Sequence, residues 1–291
     1  MRSPADAHWS EIGDGVLVRQ SRAFWMNSGL LLDPEHAIVV DPGVLPSELD
    51  ELRRVVRESR AREVTLFLTH AHWDHVLGRP WFPRARIVAH DRFAAEVRRE
   101  RADIAREAAD LATRHGEAWR APFAPFAADE PMSGLRFARY GPWRAVFREA
   151  PGHSSSQLTL HLPDRGILFA ADMLSDLEMP LLDGPVAPYR ATLRDLAPLV
   201  EQGAIETVVP GHGAVAYGAG AARGRLERDL DYLDRLEAGA REARRAGLTL
   251  EQARERLAAM DYTGKDAAEW PTNGFHLENV AFAFEGAGGA G

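Results

Sequence analysis

Apolar positions along the chain follow two different periods. In the first two-thirds, short β-branched runs are mixed with helical stretches and punctuated by Gly and Pro, which is an α/β pattern. The run His36-Ala-Ile-Val-Val-Asp41 predicts a buried strand closed by the turn pair Pro42-Gly43. After it, Ser47 reads as the N-cap of a helix that lines Leu49, Leu52, Val55 and Val56 along one face. Glu63 to Thr69 predicts the next strand, and it delivers the chain straight into a histidine cluster. Ligands in such sheets gather where strands end in loops.

Residues 91–120 predict a highly charged helical stretch with Phe93, Val97, Ile104, Ala108 and Leu111 as a thin apolar stripe. Its plain reading is a solvated surface helix. The alternative is a lid, because this insertion, about 91–130 with its Pro-rich segment 121–126, falls between two halves of the candidate site. A second β-rich block follows at Leu135–Arg139, Trp143–Glu149, Gln157–Leu162 and Gly166–Ala171, then a helix near Arg190–Val200 and a strand at Ile205–Val209. From residue 221 the character changes. Leu226, Leu230, Leu233 and Leu236 recur at helical spacing among dense charges, and Thr249-Leu-Glu-Gln252 has the form of a capping box. The expected organisation is a domain at 1–220 and a helical C-terminal appendage at 221–291, ending in a flexible Gly/Ala tail.

Composition narrows the function. The 291 residues carry 35 Lys+Arg against 43 Asp+Glu, a formal charge of −8, which disfavours nucleic acid or an anionic membrane as partner. Cysteine is absent, so any metal must sit on His, Asp and Glu. No window approaches the roughly 20 apolar residues that span a bilayer. Met1 to Ser10 shows no apolar stretch of the kind a secretory signal carries, so a soluble cytoplasmic protein is expected. The expected partner is a small-molecule substrate. The sequence leaves the oligomeric state open, a homodimer included.

The chemistry concentrates in Thr69-His-Ala-His-Trp-Asp-His75, where His70, His72, Asp74 and His75 fall within six residues. In an extended stretch, side chains two apart point the same way, so His70 and His72 can converge on one ion. A turn after them lets Asp74 and His75 face a second position. Pro151-Gly-His153 and Pro210-Gly-His212 each put a histidine just after a predicted strand, beside a glycine that permits a tight turn. Leu168-Phe-Ala-Ala-Asp172 ends a buried apolar run on a carboxylate, which is costly to bury unless paired or bound to metal. The histidines His8, His36, His90, His115, His161 and His276 have no such company and read as surface or core residues.

Together these segments resemble the metallo-β-lactamase-fold hydrolases. His70, His72, Asp74 and His75 match the family's His-x-His-x-Asp-His motif. His153, Asp172 and His212 match its later histidine, bridging aspartate and last histidine, and Asp41-Pro-Gly43 matches its Asp-x-Gly turn. The resemblance covers about residues 10–215 and implies an αββα sandwich with metals held in loops along one edge. It assigns His70, His72 and His153 to one metal and Asp74, His75 and His212 to the other, with Asp172 bridging. Two divalent ions are thus implied, zinc first, with Mn2+ or Fe also accepted by such donors. The implied mechanism is attack by a metal-bridging hydroxide on an ester, thioester or lactone, with Asp74 as the catalytic side chain that steers it or passes a proton. Asp41 is expected behind the ligands, orienting one of them. Tyr189 and His276, the latter with Asn279, are expected near a substrate pocket.

Departures from individual members sort the functions further. The bridging Asp172 separates this chain from true β-lactamases of the fold, and Met173-Leu-Ser-Asp176 lacks the tyrosine that the quorum-sensing lactonases carry there. No basic glutathione-binding pattern of the glyoxalase II type is found near the C-terminus. The rival of another class is an iron-dependent oxidoreductase of the same fold, similar to the sulfur dioxygenases. The complete second set Asp74, His75 and His212 favours a dinuclear hydrolase instead.

Overall fold

A computed structural model describes residues 9–119, 122–265 and 273–288. His8 and the last residues of the Gly/Ala tail lie outside the described residues. The strands form two sheets, one of seven strands and one of six. Contacts group the chain into two compact units, residues 1–149 with 156–165, and residues 150–155 with 166–291.

In the first unit, β1 (Ser10–Gly13), β2 (Val16–Gln20), β3 (Asn27–Leu32) and β4 (His36–Val40) make an antiparallel meander. Then β5 (Glu63–Phe67), β6 (Arg86–His90) and β7 (Glu130–Met132) add on in parallel. Parallel neighbours need crossover connections. These are α1 (Pro46–Ser59), the histidine-bearing segment after β5, and the pair α2 (Phe93–Arg99) and α3 (Arg101–Arg114). Side chains alternate across a strand, so each strand serves two layers. Leu30, Val39, Leu66 and Ile87 pack in one core with Leu49, Leu52 and Val56 of α1 and Phe93, Val97, Ile104, Ala108 and Leu111 of α2 and α3. Burying each large aliphatic or aromatic side chain there contributes about 1.5–3 kcal/mol. Leu31, Ile38, Phe67 and Val88 point to the other side and meet Trp143, Ala145, Phe147 and Leu160. Those residues belong to the antiparallel strands β8 (Leu135–Tyr140), β9 (Trp143–Glu149) and β10 (Leu158–Leu162). This unit is therefore layered helix, sheet, sheet.

The second unit joins β11 (Ile167–Phe169) in parallel to β12 (Thr207–Val209), which pairs antiparallel with β13 (Ala216–Tyr217). Leu168 and Val208 share a core with Leu193, Leu196 and Val200 of α4 (Val186–Glu201). The same core takes Leu226, Leu233 and Leu236 of α5 (Ala219–Arg245), Leu257 of α6 (Leu250–Leu257), and Val280 and Phe284 of α7 (Asn273–Gly286). The Thr249 hydroxyl accepts from the Gln252 backbone N–H and the Gln252 side chain accepts from the Thr249 N–H, closing the capping box that opens α6. Among the described residues, two sheets and seven helices give a mixed α/β class.

Two sequence expectations change. Helix α1 starts at Pro46 with Leu45 as N-cap, because proline's fixed φ and missing N–H suit the first helical position. Ser47 lies one residue inside it, and its hydroxyl donates to Glu117. The stretch 91–120 is two helices rather than one, broken at Glu100 and finished by Arg114, and all five stripe residues are buried. Among the described residues no helix is long and apolar enough to cross a membrane.

Candidate metal centre

Strand β4 is followed at once by a strained residue. Asp41 takes φ +44°, in the left-handed region that aspartate tolerates better than most side chains. Its carboxylate serves the end of the neighbouring strand. Oδ1 accepts from the Thr69 N–H at 2.9 Å, and Oδ2 accepts from the Thr69 hydroxyl at 2.7 Å and from His75 Nδ1 at 2.9 Å. With its hydrogen given to Asp41, the Thr69 oxygen accepts from His70 Nδ1 at 3.0 Å. Both imidazoles are thereby held as Nδ1–H tautomers with the lone pair on Nε2, the form that ligates a cation.

The motif is compact. The His70 ring centroid lies 4.5 Å from that of His72 and 4.1 Å from that of His75, and His75 Nε2 is 3.7 Å from Asp74 Oδ2. A brace fixes the peptide between the first two histidines. The Ser156 hydroxyl oxygen accepts from the Ala71 N–H at 3.2 Å and donates its own hydrogen to the buried Glu96 of α2.

In the second unit, Gly152 has φ +134°, and a Cβ there would sit 2.4 Å from Cα and Cβ of Tyr189. Only glycine fits that turn, which delivers His153. The His153 Nδ1–H donates to the Leu181 carbonyl at 3.2 Å, again leaving the lone pair on Nε2, and Nε2 lies 3.2 Å from Asp172 Oδ2. His212 Nε2 is 3.7 Å from the same oxygen. Asp172 follows β11 through Ala171 at φ +52°, and the Tyr189 hydroxyl donates to its backbone carbonyl at 3.2 Å.

By donor atom, His70, His72, His153 and Asp172 form one group and Asp74, His75 and His212 another, the atoms of each lying within 4.8 Å of one another. Imidazoles set to offer Nε2, with carboxylates buried beside them, fit divalent cations of the borderline class. The burial makes the same point, since Asp74 and Asp172 are each only 7% exposed and a buried carboxylate needs a cationic counterpart.

The two residues expected near a substrate pocket, Tyr189 and His276, are both buried. Tyr189 is fully buried, holds Asp172 through its hydroxyl, and has its pKa driven up by desolvation. His276 stacks on Tyr262 at 4.4 Å, with Nδ1 3.0 Å from the Tyr232 hydroxyl and Nε2 3.0 Å from the Leu257 carbonyl. Fully enclosed, it gains stability as a neutral ring, and desolvation lowers its pKa. Thr69, Ser156 and Glu96 escape a sequence reading because hydroxyls and single acids near strand ends carry no distinctive spacing. Arg225 and Asp229 had a signal. They recur with Ala222, Leu226 and Leu233 on the buried face of α5, where charge is out of place.

The chain matches the family described as the Metallo-beta-lactamase superfamily over residues 26–212. It is 30% identical over 228 residues to the acyl-coenzyme A thioesterase MBLAC2 of Bos taurus, covering 71% of this chain and 80% of that protein. The Homo sapiens protein of the same name is 29% identical over the same lengths. Among solved structures, the stereoselective inverting sec-alkylsulfatase Pisa1 from Pseudomonas sp. superposes with a TM-score of 0.72 at 14% identity, over 96% of this chain. This chain spans only 50% of the sulfatase. A metallo-beta-lactamase from Pontibacter korlensis superposes with a TM-score of 0.54 at 16% identity, over 77% of this chain and 98% of its own length. At such identities the two structures speak to the fold alone. With the family's sequence pattern running from Met26 to His212 through every donor of both groups, the chain belongs to the metallo-β-lactamase superfamily.

Proposed function

We propose that this chain is a two-metal hydrolase that cleaves a thioester, an acyl-coenzyme A first among them, with zinc as the working ion. The observation that carries the reading is the pair of donor groups, with His70 and His153 of one and His75 of the other turned to offer Nε2. The thioester comes from the bovine and human relatives, whose names give that activity. Zinc is favoured by a set made only of imidazole and carboxylate.

Two divalent cations bound there would supply Lewis acidity for the carbonyl oxygen and an acidified water at neutral pH. The chain's own residues do the rest. His70, His72, His153 and Asp172 would hold one ion; Asp74, His75 and His212 would hold the other, with Asp172 reaching both. Asp41 keeps His70 and His75 in the ligating tautomer. Asp74 orients the attacking water and carries a proton towards the leaving group. The iron oxidoreductase reading would leave the second group without a purpose, so the hydrolase reading is preferred.

The test is a comparison of initial rates on an acyl-coenzyme A, an aryl ester, a lactone, a β-lactam and a secondary alkyl sulfate, with zinc-loaded and chelated protein. Chelator-sensitive release of free thiol, well above turnover of the other bonds, is expected. Zinc-loaded protein that leaves the thioester intact while cleaving another bond type would overturn the substrate assignment.

A further inference from the structure

Three buried polar residues of the C-terminal helices have no part in the chemistry above, yet each is bonded to a ligand-bearing loop. On α5, the Asp229 carboxylate accepts from the Leu174 N–H at 3.0 Å, and the Arg225 guanidinium donates to the Leu174 carbonyl at 2.9 Å. One peptide residue is gripped at both of its polar groups. Leu174 sits at φ +59° and Ala171 at φ +52°, two left-handed conformations that cost energy in non-glycine residues and flank Asp172. Arg225 also pairs with Asp176 at 3.4 Å, and Asp176 accepts from the Ala214 N–H at 2.8 Å, two residues past His212.

On α7, Asn279 is 1% exposed and grips the same β11–α4 connection further along. Its amide donates to the Pro180 carbonyl at 2.7 Å and its carbonyl accepts from the Leu182 N–H at 2.9 Å. The residue between them is Leu181, whose carbonyl orients His153. The amide is itself fixed by a further bond to the Tyr232 hydroxyl at 2.8 Å.

We infer that Arg225, Asp229 and Asn279 are positioning residues of the metal centre. The first two hold the strained loop that aims Asp172, and the third holds the carbonyl that sets the tautomer and angle of His153. Helices α5 and α7 thus position two of the seven donors, Asp172 and His153, beyond any part they take in substrate choice. Burying an aspartate, an arginine and an asparagine among leucines is costly for a helix whose only task is packing. It is understandable where the connection between β11 and α4, strained at Ala171 and Leu174, must be held in place to aim donors.

This inference rests on the two-metal reading, and its test separates the two. Metal-free protein is titrated with Co2+, following bound-ion stoichiometry and the visible d–d spectrum, in wild type, Asp172→Ala, Asp229→Ala, Asp229→Asn and Asn279→Ala. Wild type is expected to take two equivalents. Asp229→Ala and Asn279→Ala are expected to weaken one equivalent at least about tenfold and to shift the d–d bands. Asp229→Asn retains an oxygen that accepts from Leu174, so it should restore wild-type binding. If Asp229→Ala fails to fold, as judged by circular dichroism, the Asn279→Ala titration decides the matter. Folded variants that bind two Co2+ with wild-type affinity and spectrum, while Asp172→Ala does not, would overturn the positioning role and leave the metal reading standing. Wild type that binds no Co2+ would overturn both.

Discussion

Asp41 concentrates three hydrogen bonds on one carboxylate, and through them it fixes two imidazoles at once. Replacing Asp41 by Ala removes the acceptor for His75 and frees Thr69 from its role toward His70. Metal affinity should fall by about 10- to 100-fold, measured as ions retained after dialysis against a competing chelator. Unchanged retention would mean that the ligand tautomers are set by other groups. Gly152→Ala is a second residue-scale case. The added methyl collides with Tyr189 backbone and side-chain atoms at 2.4 Å, at a φ that L residues avoid. A loss of about 2–4 kcal/mol in chemical denaturation is expected. The seven residues that cluster were legible in the sequence, because His and Asp at strand ends, beside Gly turns, have few structural excuses. Of their supports Asp41 was legible and the others were not. A backbone carbonyl such as that of Leu181 looks the same at every position, and Thr69 is an ordinary strand-end residue.

Among the elements, α2 and α3 test whether the charged 91–114 stretch is part of the core. Leu111 is 2% exposed and packs with residues of α1 and of the seven-stranded sheet. Leu111→Ala should cost about 2–5 kcal/mol, whereas a freely solvated or detached helix would lose almost nothing. Helix α5 makes a pH-dependent prediction. Burial pushes Asp229 up to about 7 from an ordinary 3.8, acted on by Arg225, Arg228 and Glu178 and close enough to act on Tyr189. The folded chain therefore binds more protons at this group than the unfolded one between the two values, so stability falls as pH rises through that window. In metal-free protein, wild type should lose about 2–3 kcal/mol more than Asp229→Asn between pH 5 and pH 7, read from denaturation midpoints. Equal pH slopes would contradict it. Element existence was legible wherever a period was sustained, as in β8, β9, β10 and the Leu stripe of α5. The break at Glu100 was not, since no Gly or Pro marks it. Nor was β7, three residues that include Pro131, which an edge strand tolerates because its outer N–H has no partner to lose.

For the molecule as a whole, the donors come from four separate stretches of chain, residues 70–75, 153, 172 and 212. An ion held only when these stretches are folded stabilises the native chain by mass action, about 2.7 kcal/mol at a free ion concentration one hundred times its dissociation constant. Chelation should lower the melting temperature, and zinc should restore it. The −8 charge and the absence of cysteine already pointed to His and Asp chemistry on a small substrate, while the substrate itself was not legible, because side chains that shape a pocket share no motif.

A two-metal thioester hydrolase is tested by the rate of free-thiol release from an acyl-coenzyme A as metal-free protein is titrated with zinc. The expected result is a negligible rate without metal, a rise with added zinc, and a plateau at two equivalents per chain. Thiol release that is independent of zinc, or none at all from protein shown to hold two ions, would contradict it.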